Sequence, residues 1–185
     1  MSPRPWEIIS SKEEGSFGIF SIRRKRARSP RTAREHDFII LECPPWVNVI
    51  PVTTEGKVVM IRQWRHGIGG DTLEIPGGVV EHGDTPLLAA HRELREETGY
   101  LAEDMVPVGF VHPNPAFMDN RCYTYVAEGA TLNGSQELDD KEDIDVVLME
   151  PSEIPALIRN GVITHSLVVV AFYRYFMEYL SHEPA

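Results

Sequence analysis

Strand-length apolar runs alternating with helix-like segments predict a mixed α/β (α+β) fold for this chain. Two observations carry that reading. Short apolar runs bounded by turn residues, at 38–41, 47–52 and 144–149, have the length and make-up of strands. The segment from Thr85 to Gly99 has the start and stop signals of a helix, and two later segments, 155–159 and 167–180, read as helices as well. A length of 185 residues fits one domain, and an apolar fraction of 42% is enough for a sizeable core.

The elements follow in order. Residues 6–22 are expected to form a short strand or hairpin, with Gly15 and Gly18 near its turn. Residues 23–35 hold a basic run of Arg23, Arg24, Lys25, Arg26, Arg28, Arg31 and Arg34. Such a run serves a nucleic-acid patch, a strand with alternating exposed charge, or a loop facing an acidic partner subunit. The structural readings are preferred, because no ladder of aromatic residues is interleaved with the charges. Residues 57–63 follow the turn at Glu55-Gly56 and read as a strand.

The helix comes next. Thr85 suits its N-cap and Pro86 its first position, where no amide donor is needed. Gly99 is placed to end it in a left-handed conformation. Leu87, Ala90 and Leu94 recur at helical spacing as a stripe facing the core. Later strands are expected at Phe110, 123–127 and 144–149, with 129–141 as the one long loop. No internal repeat is present.

Composition excludes several classes. The formal charge of −10 argues against general nucleic-acid binding. Cys43 and Cys122 are too few for a disulfide framework or a cysteine-based metal site. No apolar run is long enough to span a bilayer, and the opening Met1-Ser-Pro-Arg-Pro-Trp6 has no apolar signal segment. A cytoplasmic location is the default expectation.

The chemistry concentrates on the helix. Glu93, Glu96 and Glu97 relate as i, i+3 and i+4, so their carboxylates share one side, on the edge adjoining the apolar stripe. Like charges this close repel. An acidic solvated face tolerates that repulsion, whereas a divalent cation makes the cluster favourable, and Mg²⁺, a hard ion that prefers oxygen ligands, suits it. Ala89, one turn before Glu93, leaves room for an ion. Arg92 lies four residues before Glu96, in range to pair with it and orient the carboxylates. A second acidic group, Gln136-Glu-Leu-Asp-Asp-Lys-Glu-Asp-Ile144, puts five carboxylates just before a strand.

The stretch from Gly78 to Tyr100 resembles the signature of Nudix hydrolases: a glycine, five residues, Glu, seven residues, then Arg-Glu-aliphatic-x-Glu-Glu-x-Gly-aliphatic. Gly78, Arg92, Glu93, Leu94, Glu96, Glu97 and Gly99 match at that spacing. Asp84 stands where the family has Glu, and Tyr100 where it has an aliphatic residue. The family uses the first of these positions mainly to support the Arg. The segments Gln63-Trp64-Arg65 and Leu73-Glu74-Ile75-Pro76-Gly77-Gly78 resemble the strand–loop–strand approach in the ADP-ribose and nucleoside-diphosphate-sugar branch. His112–Phe117, with Pro115 sixteen residues after Gly99, and Gly161–Ser166 resemble the same branch.

That resemblance implies a Nudix α/β/α sandwich with a mixed central sheet over 46–185. It is preceded by an N-terminal strand region, 1–45, expected to form a homodimer. The implied activity is metal-dependent hydrolysis of ADP-ribose or a related nucleoside diphosphate sugar to a nucleoside monophosphate and a sugar phosphate. Mg²⁺, with Mn²⁺ able to substitute, is expected on Glu93, Glu96, Glu97 and the carbonyl of Gly77. Glu142, with Asp140 as the other choice, is expected to act as general base or to complete the metal shell. Glu96 and Arg92 belong to the catalytic group. Arg65 is expected to grip phosphate, with Glu74 and Pro115 among the substrate contacts. Trp46 either stacks on the nucleobase or anchors a core or interface. Two alternatives stand beside this reading. One is a Nudix hydrolase acting on nucleoside triphosphates or capped RNA, favoured by the basic run and opposed by Pro115 and the net acidity. The other is a non-catalytic ligand sensor, opposed by the three helix glutamates.

Overall fold

The structure is a computed structural model and describes residues 4–180. Residues 1–3, at the head of the 1–45 region, and 181–185, at the end of 46–185, lie outside the described residues. In chain order the strands are β1 (Glu7–Ser16), β2 (Ser21–Arg28), β3 (Glu35–Glu42), β4 (Trp46–Thr53), β5 (Val58–Arg65), β6 (Gly70–Glu74), β7 (Tyr100–Leu101), β8 (Asp104–Val111), β9 (Cys122–Leu132) and β10 (Ile144–Met149). The helices are α1 (Pro86–Thr98), α2 (Ile154–Arg159) and α3 (Ser166–Arg174), the last continued by a π turn, Tyr175–Tyr179, where the rings of Tyr175 and Tyr179 stack. No helix among the described residues is long and apolar enough to cross a membrane.

The chain divides into two units. One comprises the residues up to Pro44 together with His112–Arg121, the other Pro45–Val111 together with the residues from Cys122 on. In the first, β1, β2 and β3 form an antiparallel sheet with β2 at its centre. The basic run therefore begins as a strand, and its charges meet acids across the sheet. Arg24 Nε donates to Glu14 (2.9 Å), Arg26 forks onto Asp37 (2.9 and 3.2 Å), and Arg28 reaches both Glu7 and Glu35 (2.9 Å each). Each exposed pair adds little stability by itself, but opposite charges facing across strands fix the register. His112–Arg121 docks on the end of β3: Leu41 N–H donates to Phe117 O (2.7 Å), and Asn120 donates to Pro44 O (3.1 Å). The sequence assigned this segment to the main domain.

The second unit is built on a mixed sheet ordered β10-β5-β4-β9-β7, with β6 paired to β5 and β8 to β9. β4 runs parallel to β9 and antiparallel to β5. Alternation along β4 explains the layers. Val47 and Val49 pack with Ala89, Ala90 and Leu94 of α1 on one face, while Ile50 packs with Val168, Ala171 and Phe172 of α3 on the other. β9 divides the same way, Tyr125 and Ala127 to the first face and Val126 to the second. The sheet is thus covered on both sides, which is why its central strand reads as a near-continuous apolar run. This is the α/β/α sandwich that the sequence predicts.

α1 is capped as expected. Thr85 Oγ1 accepts from Leu88 N–H (3.2 Å), Pro86 opens the helix, and Gly99 closes it at φ +73°, with its N–H on Arg95 O (2.7 Å). The apolar stripe differs from the expected one. Leu87 is 41% exposed and Ala89 is fully buried, because the core-facing side also carries Glu93 and Glu97 and so is rotated away from Leu87. The glutamates sit within the buried face rather than on its edge. The long loop is shorter than expected, since β9 runs on to Leu132 and leaves 133–143. β5 and β6 are the two strands of the expected strand–loop–strand approach, whereas β7 and most of β8 were not anticipated.

Candidate active site

The site forms where α1 packs under the loop that leaves β6. Gly77 N–H donates to Glu97 Oε2 (2.8 Å). A β-carbon on Gly78 would fall 2.5 Å from Glu93 Oε1, so a larger residue there would push the carboxylate aside; a β-carbon on Gly77 would fall 2.3 Å from the carbonyl oxygen of Val47, so only glycine fits at that position. Both carboxylates are deeply buried, Glu93 8% and Glu97 4% exposed. Burial pushes the Glu93 carboxyl up to about 7, against the pull of Arg92. Burial likewise pushes Glu97 up to about 8, against the hydrogen bond from Gly77, with the charges of Glu93 and Glu142 adding to the rise.

Arg92 organises the cluster. Nη1 donates to Glu93 Oε1 (2.8 Å) and Glu96 Oε2 (3.3 Å), and Nη2 to the carbonyl of Val79 (2.9 Å). Its Nε is buried without a hydrogen-bond acceptor, and the nearest Asp84 oxygen is 3.6 Å away. A glutamate at position 84 would reach one methylene further, so the departure from the family pattern leaves a visible gap.

The three helix glutamates do not converge. Glu96 is drawn aside by Arg92 and by Arg95 (3.1 Å), and no three His, Cys, Asp or Glu side chains among the described residues form a metal-holding group. Glu93 and Glu97 do fit a cation. They are two desolvated carboxylates, Glu93 sharing the half-buried guanidinium of Arg92 with Glu96 and Glu97 meeting a single amide, and a divalent ion would supply the missing positive charge. The structure shows the amide of Gly77 at work, on Glu97; its carbonyl remains an expected ligand.

A cavity of about 300 Å³ opens beside them, lined in part by Trp46, Asn48, Arg65, Glu74, Gly77, Gly78 and His165. Arg65 forks onto Glu74, with Nε and Nη2 each 2.7 Å from a carboxylate oxygen. Thr72 also donates to Glu74. Burial pushes the Glu74 carboxyl up, but the hydrogen bonds from Arg65 and Thr72 outweigh it and hold the group below its usual range. Glu74 in turn raises the Arg65 guanidinium. The pair expected to contact substrate is therefore first a pair with itself. Trp46, at the start of β4, is half-buried in the cavity wall.

His165 and Thr72 escaped the sequence reading. The His165 ring lies with Nε2 4.0 Å from Glu74 Oε2, and burial lowers its basicity. A single histidine before an apolar helix gives no signal in sequence, and neither does a single threonine at the start of an expected strand. Glu142 is exposed on the loop 133–143, where its carboxylate accepts from Asp139 N–H (3.1 Å), near enough for its charge to act on Glu93, Glu97 and Arg65. Asp140 is exposed on the same loop. Pro115 lies in an exposed turn of the first unit.

Comparison with known proteins agrees with this geometry. The NUDIX domain profile matches residues 44–169. An ADP-ribose pyrophosphatase of Bacillus subtilis is 37% identical over 109 residues, 58% of this chain and 59% of that protein. The methanol dehydrogenase activator of Bacillus methanolicus is 35% identical over 146 residues, 78% of this chain and 79% of that one. Among solved structures, one described as an ADP compounds hydrolase superposes with a TM-score of 0.84 over 98% of this chain and 97% of its own, at 19% identity, a likeness of fold.

Two outcomes are expected. Asp84→Glu should bring a carboxylate to Arg92 Nε and raise the unfolding free energy by about 1 kcal/mol; a urea titration in which the variant is no more stable than the parent contradicts this. The second concerns pH. Glu93 and Glu97 ionise near 4.5 when unfolded, but only near 7 and 8 when folded. Between these values the folded state binds more protons, so the stability they contribute is complete below 4.5 and lost as pH rises through about 8. With chelator present the melting temperature should fall more steeply over that window for the parent than for Glu97→Gln, and a divalent cation should flatten the parent's fall. Equal slopes for parent and variant in chelator would remove Glu97 as the cause.

Proposed function

This chain belongs to the Nudix family, and from that premise we propose that it is a metal-dependent pyrophosphohydrolase acting on ADP-ribose or a related nucleoside diphosphate sugar. The products are a nucleoside monophosphate and a sugar phosphate. The observation that carries the reading is the buried pair Glu93–Glu97, held against Gly77 and Gly78, two glycines that line a cavity whose wall presents Arg65. The activity of the Bacillus subtilis relative supports the substrate class.

Glu93 and Glu97, with the Gly77 carbonyl, would hold Mg²⁺, for which Mn²⁺ can substitute, and Glu96 would join them by leaving Arg95. Bound there, the cation neutralises phosphate oxygens and lowers the pKa of a water. Glu142 takes the proton of the attacking water from the loop side; Asp140 is the other candidate. Arg92 keeps Glu93 and Glu96 in place through its shared guanidinium. Arg65 has five N–H donors and gives two to Glu74, which fixes the fork and leaves the rest for phosphate oxygens. Trp46 offers its ring to the nucleobase.

The first unit serves assembly. Trp6, Ile8 and Ile9 on or beside β1, and Phe38 and Ile39 on β3, are exposed. We read residues 1–45 as a homodimer interface of a cytoplasmic enzyme. The reading as a nuclease of capped RNA or a triphosphatase loses support, because Arg23, Arg24, Arg26 and Arg28 meet acidic partners within their own sheet.

With Mg²⁺, a panel of ADP-ribose, other sugar nucleotides, nucleoside triphosphates and capped RNA should give the highest kcat/KM for a sugar nucleotide, ADP-ribose first. A triphosphate or cap cleaved more efficiently than every sugar nucleotide would replace the assignment. Light scattering at micromolar concentration should report twice the chain mass, and a monomer would refute the dimer.

A further inference from the structure

The C-terminal end of α1 is closed by the loop that carries Glu142. Arg95 O accepts from Gly99 N–H (2.7 Å) and Glu96 O from Glu137 N–H (2.8 Å). Glu97 O accepts from the side-chain amide of Gln136 (2.7 Å). The same amide nitrogen donates its second proton to Ile144 O (2.9 Å), at the start of β10. One side chain therefore joins three points: the helix that bears the buried carboxylates, the entry to the loop 137–143, and its exit. Closer to the helix, Asn133 N–H and Gly134 N–H both donate to Gly99 O (3.0 and 3.3 Å). The ion pair of Arg95 with Glu137 is exposed and long (3.6 Å), so it holds weakly.

The consequence is mechanical. Glu142 stands two residues before the clamped exit. In the described conformation its carboxylate accepts from Asp139 N–H, inside the loop. The tip can turn that carboxylate towards the site, while the entry stays pinned by Glu137 N–H to Glu96 O and the exit by Ile144 O to the Gln136 amide. The backbone of Glu96 and Glu97 thus holds the loop, while the Glu97 side chain turns to Gly77 in the site.

We propose that Gln136 is a positioning residue for the hydrolysis: by clamping both ends of loop 137–143 to the carboxylate helix, it fixes the distance at which Glu142 meets the attacking water. The proposal rests on the reading of Glu142 as general base. Gln136 touches neither substrate nor water and acts only through Glu142.

A double-mutant cycle tests it. Gln136→Met keeps the length of the side chain and removes both donated hydrogens. It should lower kcat by about 10- to 100-fold, the usual cost of a slight misplacement, and leave KM unchanged. Glu142→Gln should lower kcat as well, and Gln136→Met should then add nothing in that background. Gln136→Lys, whose ammonium can donate to both carbonyls and suits a helix C-terminus, should restore most of kcat. The inference is overturned if Gln136→Met keeps the parental kcat, if its loss recurs in full on top of Glu142→Gln, or if the lysine variant is as slow as the methionine one. Glu142→Gln alone at the parental kcat would overturn the base reading and this inference with it, whereas a slow Glu142→Gln beside a fast Gln136→Met overturns the inference only.

Discussion

Two carboxylates packed against the backbone of two glycines set the terms for the rest of this molecule. Glu97 is held by the amide of Gly77, and Glu93 lies where a β-carbon on Gly78 would have to be. Burying such groups costs several kcal/mol each unless charge or hydrogen bonds compensate. Around them the chain shows compensation by degrees. One guanidinium, Arg92, serves Glu93 and Glu96 and a carbonyl, and one amide serves Glu97. The remainder falls to a cation. The fold holds this unfavourable cluster in place because α1 is anchored elsewhere, by Thr85 at its start, Leu94 in its middle and the Gly99 turn at its end.

The cavity wall shows a different solution to the same problem. Glu74 is as deeply buried as Glu97, yet its carboxyl is held low where Glu97 is pushed high. The difference is the number and charge of its partners. Two donors from Arg65 and one from Thr72 meet Glu74 within its own hairpin, β5–β6. The two carboxylates are displaced in opposite directions because a guanidinium and a hydroxyl meet Glu74, whereas a single amide meets Glu97.

Sequence reading was strongest where chemistry is local. The Thr85 cap, Pro86 and Gly99 bound α1 within a residue, because each acts on the backbone beside it. The Arg92–Glu96 pairing followed from helical spacing alone. Reading failed where the decisive partner is remote. β8 contains Pro107 and Gly109, which hide its period. The strand–loop–strand course of 63–78 was expected but its register was not, so Arg65 and Glu74 could be named without their mutual bond. The divergence of Glu96 from its two neighbours depends on Arg95, a surface residue whose direction no spacing rule gives. Likewise the stripe residue Leu87 proved exposed, since which side of a helix is buried is decided by the sheet beneath it.

The parallel pairing of β4 with β9 has a consequence for how the protein comes into being. Trp46 lies opposite Cys122 and Val49 opposite Tyr125, so the central ladder joins segments more than seventy residues apart in sequence. Everything in between, including the glycine turn and the whole of α1, must be threaded into a closed arc before that ladder can zip. Long-range closure of this kind is the slow event in folding. Val47 and Val49 supply the floor on which Ala89 and Leu94 rest, so the carboxylates acquire their burial only when the arc closes. On a ribosome, that moment waits for the emergence of β9, and a nascent chain shorter than this has the signature in its sequence but no place to hold an ion.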